Sequence, residues 1–499
     1  MSAGPDLLAP APHAGEGHLK PGVLGTGSIV FMVVAAAAPL TILVGISPLT
    51  ILIGGIGAPV AYLFAGLTLT VFAVAFTRMT RHVGSVGAFY AYVAHGLGRA
   101  WGLAAALLAL VAYNALQIGV YGLLGVQTRA TLADLFGITV PWPVIVLVAI
   151  VLVFLVGWAG IDVGARVLGV LLVLETGVLL LLAFAVVVQG GAAGLDARSF
   201  APDTVFQPGM GAALGLAFGS FIGFESTALY RREARDPGRT IPRATYLAVV
   251  GMAVGYAFIV WSVVQAFGSD RAVAAAGSDL AGMFFTAIAT YVGPWAATLM
   301  SVLIVSSVFA SQLAFHNAIN RYAFALAEDG VLPRWFGTTH PRFGSPYRSG
   351  LVQSALAVAV VLGFVAPGAD PYTRLFLWVT TPGAIGISVL MLLTALASVV
   401  YFLRRSPAAS TRAAVLAGIA SCVLLAIALY VSVDNMELIT AASPTVNAVL
   451  VGIVPLTLLI GLGSALWMRG ARPGTYARIG HEEDTDVPAD AAVSPAGAV

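Results

Sequence analysis

Apolar residues run through this chain in blocks too long for the core of a soluble domain. From about residue 27 to 468 they follow one another with short polar turns between them and no hydrophilic domain. A helix of roughly 20 apolar residues covers the hydrocarbon core of a bilayer, so each block predicts a membrane span. The blocks fall near 27–46, 53–76, 101–126, 141–159, 164–189 and 210–230. A second set lies near 243–267, 293–318, 348–366, 371–401, 412–433 and 447–468. The pattern predicts an all-α integral membrane protein with 12 transmembrane helices. The block at 371–401 is long, and Pro382-Gly383 within it marks a kink or a break. The ends read differently. Residues 1–20 mix Pro, Ala, Gly and His, and 471–499 turn acidic and poor in large apolar groups, so both predict disordered tails.

Composition sharpens the class, and charge sets the direction. Only 9% of residues are charged and 59% are hydrophobic, against about a quarter charged in soluble proteins; mean hydropathy is +0.96. A net charge of +2 provides no basic surface for nucleic acid. The single cysteine, Cys422, lies in an apolar run and cannot form an intrachain disulfide. Residues 1–20 have no apolar core, so no cleavable signal is expected. With the N-terminus in the cytoplasm, 20 of the 24 Lys and Arg residues fall on the inner side. Only Arg129, Arg198, Arg271 and Arg374 fall outside. That asymmetry follows the positive-inside rule loop by loop. It places both termini in the cytoplasm and the chain in the cell membrane as a multi-pass protein.

Two blocks carry the marks of a broken helix. The first reads VFMVVAAAAPLTILVG over 30–45. Pro39 has no N–H, so the carbonyl of Ala35 loses its helical partner, and the ring clashes with that turn. The sixth reads AFGSFIGFES over 217–226, where Gly219 and Gly223 weaken the helix midway. Either feature alone also fits a simple kink. Their positions favour more, because Pro39 and Gly223 stand in the first span of each of two five-span sets, 184 residues apart. Matched interruptions in two halves point to a transporter site between inverted repeats, where bare helix ends meet a ligand's charges.

Two acids lie inside spans. Glu175, in VLLVLETGVLLLL, is far from either end of the fifth. A charged acid at helix centre costs roughly 2.5–3.5 kcal/mol, so it is protonated, paired or facing water. It is therefore a candidate for proton coupling, the other reading being a neutral Glu that bonds between helices. Glu225 follows the weak point of the sixth span and is a candidate for gating, proton transfer or structural hydrogen bonding. His316 fits a relay or a satisfied interfacial histidine. Tyr113, Asn114 and Gln117 serve equally as helix–helix glue or pocket lining.

Three stretches resemble the amino acid–polyamine–organocation superfamily of permeases. They are GSVGAFYAYV (84–93), GFESTALYRREARDPGRTIPRA (223–244) and NAINRYAFALAEDGVLPRWF (317–336), the last followed by Ser345-Pro346. The resemblance covers essentially all the spans. It implies a transporter domain over 21–470: repeat one about 27–189, repeat two about 210–401, and two C-terminal helices about 412–468. The two repeats form a five-plus-five inverted repeat with helices 1 and 6 discontinuous. It also implies a substrate between the broken helices, its carboxylate at N–H groups around Ala38, Leu40 and Thr41. The amine would meet carbonyls near Val34, Ala35, Ala217 and Phe218. Asn114, Gln117, Phe221, Ile222 and Phe309 are the side-chain pocket candidates. In some proton-coupled relatives a lysine stands at the place of Glu175, nine residues after an arginine matching Arg166, where sodium-coupled relatives hold their cation. An acid there carries a proton or, with Ser306 and Ser307, helps bind Na⁺. Where the family often breaks its first helix at Gly-Ser-Gly, this chain has Ala35–Ala38 and Pro39.

The expected function is secondary active transport of amino acids or related amines, coupled to H⁺ or Na⁺ or run as exchange. The chain's partners are that small molecule, the coupling ion and the bilayer. No cofactor or catalytic residue is expected: there is no H-E-x-x-H pair, aspartate-rich pyrophosphate motif or Walker loop. A membrane sensor with the permease fold is the alternative of a different class. Oligomeric state has no signature in the sequence.

Overall fold

The computed structural model describes residues 24–82, 88–160, 165–232, 234–405 and 409–480. Residues 1–23 and 481–499, positions 84–87 of the first motif, and Glu233 lie outside the described residues. Among those described the secondary structure is helical, and one isolated bridge pairs Leu24 with Ala234.

The first apolar block is two helices, α1 (Thr26–Ala37) and α2 (Pro39–Gly54). A 3₁₀ turn at Gly55–Gly57 leads to α3 (Ala58–His82). Then come α4 (Ala88–Leu97), α5 (Arg99–Phe136), α6 (Trp142–Trp158) and α7 (Ala165–Gln189). After the short α8 (Pro202–Val205), the sixth block is α9 (Met210–Gly219) and a 3₁₀ helix, Phe224–Arg232. The chain continues through α10 (Pro237–Phe267), α11 (Ala272–Ser278), α12 (Met283–Tyr291), α13 (Pro294–Glu328) and α14 (Tyr347–Val365). A π turn, Pro371–Phe376, runs into α15 (Leu377–Arg405). The last elements are α16 (Ala409–Asp434), α17 (Met436–Thr440), α18 (Pro444–Ala471) and α19 (Pro473–Arg478).

Among the described residues nine helical stretches are long and apolar enough to cross a bilayer, and α1 and α6 are shorter apolar helices. One of the nine, Pro39–Thr80, holds 42 residues, about two crossings. Gly55, at φ +63°, turns the chain between them. Proline at the first turn starts α2, α10, α13 and α18, where its missing N–H costs nothing. On α6, Val144, Val148, Val151, Leu152 and Leu155 are exposed, as a helix bathed in hydrocarbon requires.

Two expectations need revision. The irregularity of the tenth block lies earlier than Pro382-Gly383: the chain winds as a π turn at Pro371–Phe376, and α15 passes through Pro382 unbroken. Asp370 fixes that turn by accepting from the Tyr372 and Thr373 N–H groups at 3.0 and 2.7 Å. Beyond residue 471 the chain continues as α19, and Ile479 is buried in a small cluster with Leu103, Ala465 and Met468.

The helix α5 runs through the centre of the bundle, against α4, α13, α15 and α18. Small residues let α5 and α15 approach closely, as packing between membrane helices favours. A Cβ placed on Gly383 would lie 2.8 Å from the Ala112 carbonyl oxygen, backbone that cannot yield. Gly383→Leu is therefore expected to cost about 1–3 kcal/mol or more by overpacking. The readout is the unfolding midpoint of detergent-purified protein, and an unshifted midpoint refutes this contact.

Candidate functional site

The break in the first span is local chemistry. Ala38, caught between the end of α1 and Pro39, adopts the left-handed conformation at φ +47°. That is costly for a residue with a Cβ and is forced where the proline ring cannot continue the preceding turn. The Ala38 N–H bonds the Ala35 carbonyl at 3.1 Å, and its own carbonyl accepts from Ile42 at 3.1 Å. A helix start leaves its first N–H groups, and a helix end its last carbonyls, without intrahelical partners. Here those are the N–H groups of Leu40 and Thr41 and the carbonyls closing α1 other than that of Ala35.

In the sixth span α9 ends at Gly219, and Gly223 turns at φ +113°, open only to glycine at low cost. Glu225 fastens the turn: its Oε2 accepts from the Gly223 N–H, and its Oε1 from the Tyr113 hydroxyl of α5, each at 2.8 Å. The two interruptions touch. A Cβ on Gly223 would stand 3.4 Å from the Ala36 carbonyl carbon and the Ala37 nitrogen.

Beside this meeting point lies a cavity of about 130 Å³. Ala36–Ala38, Thr41, Phe218, Gly219 and Ile222 line its broken-helix end. From there it follows Ile42 and Ile46 along α2 and Leu116 and Val120 along α5, away from the end of α5 that carries Arg99. α15 contributes Thr380, Thr381 and Ser388, and α16 contributes Leu425 and Ser432. On the Arg99 side Phe315 forms the floor. Its ring lies 6.3 Å from Tyr113, Tyr113 is 5.9 Å from Tyr322, and Tyr322 is 6.0 Å from Tyr90 of α4. That run of rings, with Glu225 beside it, closes this end.

A chain of hydroxyls leads out of the cavity into the bundle. Thr41 Oγ1 lies 2.9 Å from Ser307 Oγ, and Ser307 donates to Glu175 Oε2 at 2.8 Å. All three are buried, Glu175 to 4% exposure. A serine has one hydrogen to give. With it on Glu175, Thr41 must donate to Ser307, which turns the Thr41 lone pairs toward the cavity. A protonated Glu175 donates instead, and the direction of the whole chain reverses.

Of the residues singled out in the sequence, Ala38, Thr41, Phe218 and Ile222 line the cavity. Leu40 and Ala217 are fully buried beside the breaks, and Val34 and Ala35 lie in the last turns of α1. Phe221 is buried against the Tyr256 ring at 5.7 Å. Asn114 is turned along its own helix, donating to the Leu110 carbonyl at 2.8 Å. Gln117 faces away from the cavity, donating to the Gln312 carbonyl at 3.3 Å and accepting from Gln353. Gln353 also meets His316 Nδ1 at 3.1 Å, so His316 belongs to this buried network. Phe309 and Ser306 border a separate apolar hollow of about 860 Å³, lined also by α5, α6 and Leu171 of α7. Ser306 donates to the Leu303 carbonyl, and so does not share the position of Ser307. Sequence reasoning missed the contribution of α16 and α17, which carried no local signal. Thr380, Thr381 and Ala384 flank Pro382-Gly383, whose sequence signal is that of a kink or a break rather than of a pocket wall. No cluster of three His, Cys, Asp or Glu suited to a metal occurs among the described residues.

The amino acid permease family model matches residues 24–460. The chain is 29% identical over 354 residues to an uncharacterized transporter of Mycobacterium tuberculosis, covering 69% of this chain and 72% of that one. It is 28% identical over 323 residues, 62% of this chain and 66% of the other, to an uncharacterized transporter of Rhizobium meliloti. It is also 25% identical over 318 residues, 61% and 66% of the two chains, to a low-affinity putrescine importer of Escherichia coli. A helical bundle with paired breaks beside a cavity, and a family match over most of its length, lead to one conclusion: the chain belongs to the amino acid permeases of the amino acid–polyamine–organocation superfamily, and is a transporter rather than an enzyme.

Proposed function

We propose that this permease is a proton-coupled symporter of amino acids or related amines, working by alternating access. Counting crossing lengths gives twelve spans, with the arginine-rich loops and both termini in the cytoplasm of a cell-membrane protein. The cargo binds at the paired breaks. Its carboxylate meets the N–H groups of Leu40 and Thr41 at the positive end of α2, and its ammonium meets the carbonyls closing α1. The putrescine importer among the relatives supports an amine-bearing cargo. Release to the cytoplasm requires the Tyr113–Glu225 contact and the rings beside it to part, the gating role of Glu225.

The observation that carries the coupling is the bond sequence Thr41–Ser307–Glu175. It ties the one acid buried in α7 to a hydroxyl on the cavity wall, so the protonation state of Glu175 decides whether Thr41 offers the cargo a lone pair or a hydrogen. Proton and cargo then depend on each other through one reversible chain. Ser306 borders the separate hollow and not the cavity that Thr41 lines, so it does not add a second serine oxygen there for a sodium site, which favours the proton. The test is uptake of labelled amino acids into proteoliposomes under an imposed pH gradient or an imposed Na⁺ gradient. Concentrative uptake that follows the pH gradient and ignores Na⁺ is expected. Uptake requiring Na⁺ at constant pH overturns the proton reading.

A further inference from the structure

The lining of the cavity restricts which cargo can fill it. None of its lining residues is Asp, Glu, Lys, Arg or His. Four of its six hydroxyls spend their hydrogen one turn back on their own helix: Thr380 on Phe376, Thr381 on Leu377, Ser388 on Ala384 and Ser432 on Ala428, at 2.7–2.9 Å. The end away from the breaks is walled by branched and flexible aliphatic groups, among them Ile46, two turns along α2, with Val120, Met436 and Ile439. Both carboxylates near the breaks are engaged elsewhere. Glu225 has its two oxygens on Gly223 and Tyr113, and Glu175 stands behind Ser307 and Thr41.

We propose that the substrate is a neutral amino acid with an aliphatic side chain of about leucine size, and that diamines and cationic amino acids are excluded. The inference rests on reading this cavity as the transport site. The α-ammonium and α-carboxylate are matched by the bare helix ends. A second ammonium in the cavity would meet no carboxylate, only the lone pairs of neutral hydroxyls such as Thr380 and Ser432, a penalty of several kcal/mol. An aliphatic side chain gains there instead, by about 0.8 kcal/mol for each methylene taken from water. Glycine, which leaves that end unfilled, forfeits the gain.

The test uses purified full-length protein, both in detergent with a thermal-shift readout and in proteoliposomes with labelled leucine. Leucine, isoleucine and methionine are expected to stabilise the protein and to block leucine uptake. Lysine, arginine and putrescine at the same concentration should do neither, and glycine should compete at least tenfold more weakly. A thermal shift with putrescine or lysine and none with leucine overturns the assignment while leaving the cavity as a transport site. A leucine shift without uptake keeps the substrate class and removes the carrier reading; no shift with any of them removes both. Ile46→Asp, two turns along α2 from the break, supplies the missing anion at the far end and is expected to let lysine compete, at least tenfold better than in the parent chain. Ile46→Asn, neutral and of equal size to Asp, controls for the loss of isoleucine, and lysine competition in it would count against the argument.

Discussion

Glu175→Gln is expected to abolish accumulation driven by a pH gradient while exchange of internal for external substrate continues. Glutamine keeps the shape of the acid and can donate to Ser307 through its amide hydrogens. Its amide oxygen can equally accept from Ser307, so the chain can still point either way, but no proton is taken up or released when it turns. Thr41 still meets the cargo, so substrate binds and crosses, but no proton rides with it. One pH unit is worth about 1.36 kcal/mol per proton, a tenfold accumulation for each proton coupled. The variant forfeits all of that and should equilibrate label without concentrating it. Ser307→Ala cuts the same chain one bond nearer the cavity and should give the same pattern with Glu175 intact. Counterflow and pH-driven uptake in one proteoliposome preparation make the measurement. Undiminished pH-driven accumulation in Glu175→Gln would remove the coupling assignment.

The second large effect is expected at Gly223. Its φ of +113° lies beyond the left-handed well that an L residue can tolerate. Gly223→Ala must either hold that strain or relax it by rotating the turn, which pulls the Gly223 N–H from Glu225 and displaces the backbone facing Ala36 and Ala37. Strain of this kind costs about 1–3 kcal/mol, and its transfer to binding would weaken affinity roughly five- to 150-fold. The methyl itself is not the obstacle, since its nearest neighbours stand at 3.4 Å, an ordinary contact. Gly219→Ala separates backbone strain from lost space. A Cβ at Gly219 meets nothing within 4 Å, and the residue is helical. That variant should keep the unfolding midpoint of the substrate-free protein, whereas Gly223→Ala should lower it. Equal midpoints and equal affinities in Gly223→Ala and the parent would refute the role given to this turn.

How much of this was legible in the sequence differs from residue to residue. Pro39 announces the end of α1 because its effect is intrinsic, a missing N–H and a ring clash that no neighbour can remove. Glu175 stands out for the same kind of reason, since an acid in a run of leucines and valines needs a partner wherever the helix goes. Gln117 shows the opposite case. It is polar and lies in α5 within a helical turn of Leu116 and Val120, which face the cavity, yet its side chain meets Gln312 and Gln353. In a span apolar all round, the sequence carries no contrast between a lipid face and a protein face. The rotation of such a helix is set by neighbours it meets only on packing. That is why Phe309 and Ser306 lie on the second hollow and why Ser432 and Met436 joined the cavity unannounced. The helix α4 was hidden for another reason, as its ten residues are too few to read as a span.

The apolar blocks, the arginine asymmetry between their ends and the chemical weak points at Pro39 and Gly223 are properties of the unfolded chain already. Each of these depends on hydrocarbon thickness or on the backbone limits of single residues, and so needs no knowledge of neighbours. Tertiary structure alone decided that the two weak points meet, that Ser307 rather than Ser306 joins Thr41 to Glu175, and that the cavity is bordered by aliphatic groups without a charge. Those facts turn on contacts between residues far apart in the chain, Thr41 and Ser307 being separated by 266 positions. Small residues and close helix crossings fix such contacts only when the whole bundle has packed.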